Sequence, residues 1–424
     1  MSRPTGPPGP TGPPPPGPNA VAVVLTPAAP RRYDLDALRG VAMGLGIVLH
    51  AALPFVPYWA EGDPGGAALF AVFEYLHLWR MPLFFLLSGF FTAMLWRRRG
   101  LGALLRHRLR RIALPLAVLY VPVMVLVIAG IVAGYGIAGE KVQDASGRTD
   151  AYEEPGTDAE PTDGENDATK GSAFGFAHLW FLWHLLWLIA VFGVVAWLLD
   201  TVHTKVGRDP PEQITRAFTW SLPLVSLVPF SQMHEDILGP DTSDGLVPAW
   251  PVIGFYATFF FFGATCYRSK QLDAPIDRLG QWWVLQLVAS GALFAALFGQ
   301  LVPDGFRKPS EVLLAWMVSF AAIGLARRHL HAPSYRVRWL SDSAYWMYLM
   351  HLPLVFVFQG VAVALGLPPL AGFVFIIAAT VAVLVPSYQK LVRYTWIGRL
   401  LNDRRTRADD LRLQEPIRLS RPDS

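Results

Sequence analysis

The chain has one cysteine in 424 residues, and Asp, Glu, Lys and Arg together make up only 16% of it. Cys266 therefore has no partner for an intrachain disulfide, and redox compartment stays open. So little charge beside 53% hydrophobic and 13% aromatic residues excludes the balance of a soluble globular protein. Apolar segments of alternating pattern are lacking too, which excludes a lipid-facing β-barrel. The formal net charge of +4 is not a nucleic-acid footprint, because the arginines gather at the ends of apolar blocks, where the positive-inside rule places them. No nucleic-acid partner and no metal are expected. Residues 1–30 carry no basic-then-apolar leader pattern, so no signal peptide is expected before the first span.

What is present is a series of apolar blocks at 38–57, 67–96, 112–138, 174–199, 217–230, 250–267, 279–302, 310–326, 340–366 and 368–389. An α-helix needs about 20 residues to cross about 30 Å of hydrocarbon. Continuous blocks of that length fit helices, which satisfy their backbone hydrogen bonds internally in lipid. The sequence predicts an all-α, polytopic transmembrane helix bundle of about ten spans, embedded in a lipid bilayer. Residues 1–32 read as a disordered, Pro/Gly-rich cytoplasmic tail, residues 33–390 as the membrane domain, and residues 391–424 as a basic cytoplasmic tail.

Loop charge orients the spans. The connection Arg97–Arg111 carries seven arginines and no acid. Segment 139–172 holds Glu140, Asp144, Glu153, Glu154, Asp163 and Glu165, and reads as a mobile, extracytoplasmic acidic loop. That asymmetry puts both termini inside and the protein in a cell inner (plasma) membrane. Block 217–230 is the weakest span, being short and containing Pro223 and Pro229. No internal repeat is evident.

An ionisable side chain at membrane depth is costly and usually functional. His50 follows Arg39 by 11 residues, or about 16 Å along a helix, and three whole turns align Asp36, Arg39 and His50 on one face. The same arithmetic puts His77, His184 and His351 about 15–16 Å into their own spans. Glu74, His77 and Arg80 recur at i,i+3 steps, with Ser88 three turns below His77, as a polar seam facing the bundle interior. A lone histidine in a span is as readily a polar residue satisfied by a neighbouring helix. The Trp-rich run from His178 reads as packing at the outer interface. Arg106, Arg108, Arg110 and Arg111 beside Pro115 are explained by topology alone, although guanidiniums are also what a phosphate-rich donor requires.

Several phrases in order resemble the integral-membrane acyltransferase family 3. They are Asp36-Ala-Leu-Arg39-Gly40 with His50, Arg80-Met-Pro-Leu-Phe-Phe-Leu-Leu-Ser88-Gly-Phe, and Arg108-Leu-Arg-Arg111 before Pro115. His77 with Arg80, His178-Leu-Trp-Phe-Leu-Trp and Tyr348-Leu-Met-His351-Leu-Pro are most similar to the glucan biosynthesis protein C branch. The resemblance runs from Tyr33 to about Lys390; the acidic loop and the Pro/Gly tail lie outside its pattern. It implies an acyl-CoA donor on the cytoplasmic side and a carbohydrate or glycolipid hydroxyl as extracytoplasmic acceptor, with an acetyl- or succinyl-type group moved between them.

On that basis His50 is the expected general base, acting as a neutral imidazole whose other nitrogen is oriented by Glu74 or by a histidine across the bundle. His77 and His351 complete the expected catalytic set. Arg80 would stabilise oxyanion charge, and Arg39, Arg108 and Arg111 would bind the donor. The rival reading is a transporter or flippase moving a polar solute past the same residues.

Overall fold

The computed structural model describes residues 32–55, 62–139, 175–206, 211–234, 237–268, 280–330, 332 and 335–402. The acidic segment at 139–172, apart from Gly139, and most of both tails lie outside that set. Among the described residues there is no strand, and every apolar block overlaps a helix. The helices are α1 (Tyr33–Ala52), α2 (Pro64–Arg108), α3 (Leu114–Ala138), α4 (Trp180–Val206), α5 (Glu212–Val225), α6 (Leu227–Phe230), α7 (Trp250–Arg268), α8 (Trp283–Phe298), α9 (Asp304–His329), α10 (Tyr335–Ala364), α11 (Pro369–Ser387) and α12 (Trp396–Leu401).

Six helical stretches are long and apolar enough to cross a membrane: Tyr33–Phe55, Pro64–Ala138, Ala177–Lys205, Asp304–His329, Val337–Ala364 and Pro369–Val392. The chain is thus a multi-pass membrane protein. Those six do not include α5 to α8. Pro223 lies inside α5, and Ser226 separates α5 from α6, so block 217–230 is a broken helix.

The Arg97–Arg111 connection is helical rather than an open loop. α2 opens with Asp63 as its cap, accepting from the Gly66 N–H at 2.7 Å, with Pro64 pre-set for the first turn. It then runs to Arg108 and passes through a π turn, Leu109–Ala113, into α3. The bend is at Gly100, whose φ of +78° and ψ of 169° are open to a residue without Cβ.

Helix association in lipid depends on close packing, since the surrounding tails are as apolar as the side chains. α2 packs chiefly on α7, and α10 on α1, α3 and α11. The α2–α7 seam is made by reciprocal glycines: a Cβ on Gly89 would overlap the Phe260 carbonyl, and one on Gly263 the Leu86 carbonyl. On its other side α7 buries Phe255, Phe259 and Phe262. Phe259 stacks on Trp316 of α9 at 3.9 Å between ring centroids, adding oriented ring contacts to area burial. These seams set α1, α2 and α10 beside one another.

Candidate functional site

Three imidazoles from three segments meet inside the bundle. His50 stands in the last turn of α1, His351 midway along α10, and His178 in a short 3-10 turn, Ala177–Leu179, that leads into α4. The His351 ring centroid lies 5.2 Å from that of His50 and 5.4 Å from that of His178. Arg80 of α2 joins them. Gly46, one turn before His50, leaves the space: a Cβ there would stand 2.7 Å from Arg80 Nη1 and 3.9 Å from His351 Nε2. His77 lies within Coulomb reach of His50 as well. Tyr348 closes one wall, its hydroxyl donating to the His178 carbonyl at 2.6 Å.

The backbone fixes how these rings are protonated. His351 Nδ1 lies 2.7 Å from the Tyr348 carbonyl and 3.1 Å from that of Met347. A carbonyl only accepts, so Nδ1 carries the proton and Nε2 keeps its lone pair. That Nε2 is buried without a partner, and so is Arg80 Nε. His178 Nε2 donates to the Leu349 carbonyl at 3.3 Å, leaving Nδ1 as its bare nitrogen. Leu349 has that carbonyl to offer because Pro353, four residues on in α10, has no N–H to return to it.

Glu74 is not the partner of His50. Its Oε1 accepts the Leu238 N–H at 3.1 Å, and Glu311 Oε2 accepts the Gly239 N–H at 2.8 Å. His77 Nδ1 donates to the Leu238 carbonyl at 3.2 Å and stacks on Phe73. The i,i+3 seam therefore divides. Glu74 and His77 hold a connecting segment that dips into the bundle, while Arg80 faces the histidines. Gly239 allows the dip with φ +116°, where a Cβ would also press on His77 Nδ1 and the Leu78 backbone.

His184 does not join the cluster. Its Nδ1 donates to the Trp180 carbonyl within its own helix at 2.9 Å, and its ring lies edge-on to Trp180. The histidine that joins the cluster is His178, which sequence reasoning assigned to interface packing. Its recurrence with Tyr348 and His351 in one family resemblance was the signal for it.

Arg108 Nη2 donates to Thr92 Oγ1 at 2.9 Å, and Thr92 in turn donates to the Ser88 carbonyl. Arg39 lies over the Phe91 ring at 5.5 Å and within Coulomb reach of Arg108. Arg111 is half-buried in the π turn. Among the described residues no group of three His, Cys, Asp or Glu side chains is set to hold a metal ion.

The glucans biosynthesis protein C of Salmonella typhi is 26% identical over 347 residues, covering 78% of this chain and 84% of that protein. The protein of the same name from Salmonella schwarzengrund is 25% identical over the same length and coverage. No solved structure matches the chain. A family model described as an acyltransferase domain, that of the acyltransferase 3 family, matches residues 32–388. That match takes in every histidine and arginine placed above, so the chain belongs to this family and is a membrane acyltransferase.

Proposed function

We propose that the protein moves an acetyl- or succinyl-type group from cytoplasmic acyl-CoA to a hydroxyl of an extracytoplasmic carbohydrate or glycolipid, in a cell inner membrane. The observation that carries this reading is the meeting of His50, His178 and His351 with Arg80, a cluster that holds bare nitrogens of His178 and His351 and an unpartnered Arg80 N–H. Acyl transfer needs a base for the acceptor proton and a donor for the developing oxyanion. His50 takes the hydroxyl proton as the oxygen attacks the thioester carbonyl. Arg80 holds the carbonyl oxygen as it gains charge, and the CoA thiolate departs toward the cytoplasm. His351 and His77 flank the base, while Glu74 acts on the connecting segment at Leu238. Arg39, Arg108 and Arg111 hold the donor phosphates.

The ten-span arrangement with both termini inside goes with this reading, because it places the arginines and the segment around Leu238 on opposite faces. The names of the Salmonella relatives favour a glucan as the carbohydrate. Purified protein in lipid, given labelled acyl-CoA and candidate glycans, is expected to transfer label, and His50→Ala to lower kcat by about 100-fold or more. A His50→Ala protein that turns over at the normal rate overturns the assignment of the base. Solute flux with no label transferred overturns the whole reading in favour of a carrier.

A further inference from the structure

α1 stops at a particular place for a particular reason. In a continuing helix the carbonyl of His50 would accept the N–H of the residue four positions later, but that residue is Pro54, which has none. The chain turns there into a short 3-10 segment, Leu53–Phe55. A carbonyl stripped of its ladder partner among packed helices requires a donor from elsewhere.

Gln359 supplies it. Its Nε2 donates to the His50 carbonyl at 3.0 Å from α10, two turns beyond His351 on the same helix. An amide oxygen would repel that carbonyl, so the amide has one admissible orientation. Pro353 acts in the same way on the other side of the cluster, freeing the Leu349 carbonyl for His178. Both clustered histidines outside α10 are thus tied to it by a hydrogen bond at a proline-vacated carbonyl. One bond uses the ring and the other uses the backbone that carries the ring.

We propose that Gln359 is a positioning residue: its amide replaces the hydrogen bond that Pro54 withholds from His50 and so sets the His50 ring against His351. The inference rests on the reading of His50 as the base. It goes beyond that reading in assigning function to a residue that acts through His50.

The prolines make the test specific. Gln359→Met keeps length and bulk but removes the donor, and Gln359→Leu serves as a second apolar replacement should the first not accumulate. Pro54→Ala returns a backbone N–H to the His50 carbonyl. Acyl transfer from labelled acyl-CoA is measured for wild type, Gln359→Met, Pro54→Ala and the double variant. Diethyl pyrocarbonate labelling of His50 is followed by mass spectrometry with the exposed His203 and His234 as internal references. Gln359→Met is expected to lower kcat about 10- to 100-fold with KM little changed and to alter the His50 labelling rate. The double variant is expected to recover most of both losses. Wild-type kcat and labelling in Gln359→Met overturn the proposal. Loss without recovery in the double variant also overturns it, since a residue that only fills space gains nothing from a new N–H at position 54. If wild type transfers no label, the acyltransfer reading fails, and the labelling rates of the four proteins alone decide the role of Gln359.

Discussion

The histidine cluster and the arginine end of the bundle are both polar groups forced into an apolar protein, yet they are held in opposite ways. His178 and His351 are fixed by backbone carbonyls, which decide which ring nitrogen keeps its proton and leave the other bare. Arg108 rests on the Thr92 hydroxyl, which does not neutralise its charge, and Arg39 lies over the Phe91 ring. The first arrangement sets a lone pair in a fixed direction, as proton transfer requires. The second keeps positive charge on offer, as phosphate binding requires. The contrast implies that substitutions in the two regions separate turnover from donor affinity.

The sharpest way to break that contrast is at His351, where His351→Ala is expected to lower kcat by about 100-fold or more while leaving the donor KM nearly unchanged. Steady-state kinetics in reconstituted membranes decide it; a rise in donor KM at constant kcat would merge the two regions into one binding site. Next in size is Arg108→Ala, which should raise donor KM about 10-fold or more with kcat within a few-fold. Arg108→Lys should restore only part of that loss, because an ammonium lacks the planar fork. The smallest effect is predicted for His184→Leu. His184 is fully buried with Nε2 unpartnered, so an apolar side chain there should leave thermal stability unchanged or raised and activity within about three-fold. A large loss of turnover in that variant would extend the cluster to all the deep histidines.

Depth along each span could be counted from residue numbers, because a helix advances about 1.5 Å per residue whatever surrounds it. Direction around each span could not. The count gives His184 and His351 matching depths, yet only His351 meets the His50 ring, since rotation is set by seams such as Gly89 against Phe260. The i,i+3 alignment of Glu74, His77 and Arg80 was legible as a seam, but its division was not. That division depends on Leu238, more than 150 residues later, reaching back to Glu74, and on Gly239 reaching forward to Glu311. His178 was misread for a related reason: at the head of a Trp-rich run it has the local look of packing, and only α10 brings Leu349 and His351 beside it.

The sequence by itself determined that this chain is helical and membrane-embedded, because burying a backbone in lipid leaves few structures once the apolar blocks are that long. It also determined that a helical His50 or Leu349 carbonyl would lack its ladder partner, because Pro54 and Pro353 have no N–H in any environment. Which side chain would answer each freed carbonyl was decided only by tertiary structure. Gln359 and His178 reach them across helix contacts whose rotation depends on close packing over the whole bundle rather than on any local pattern of residues.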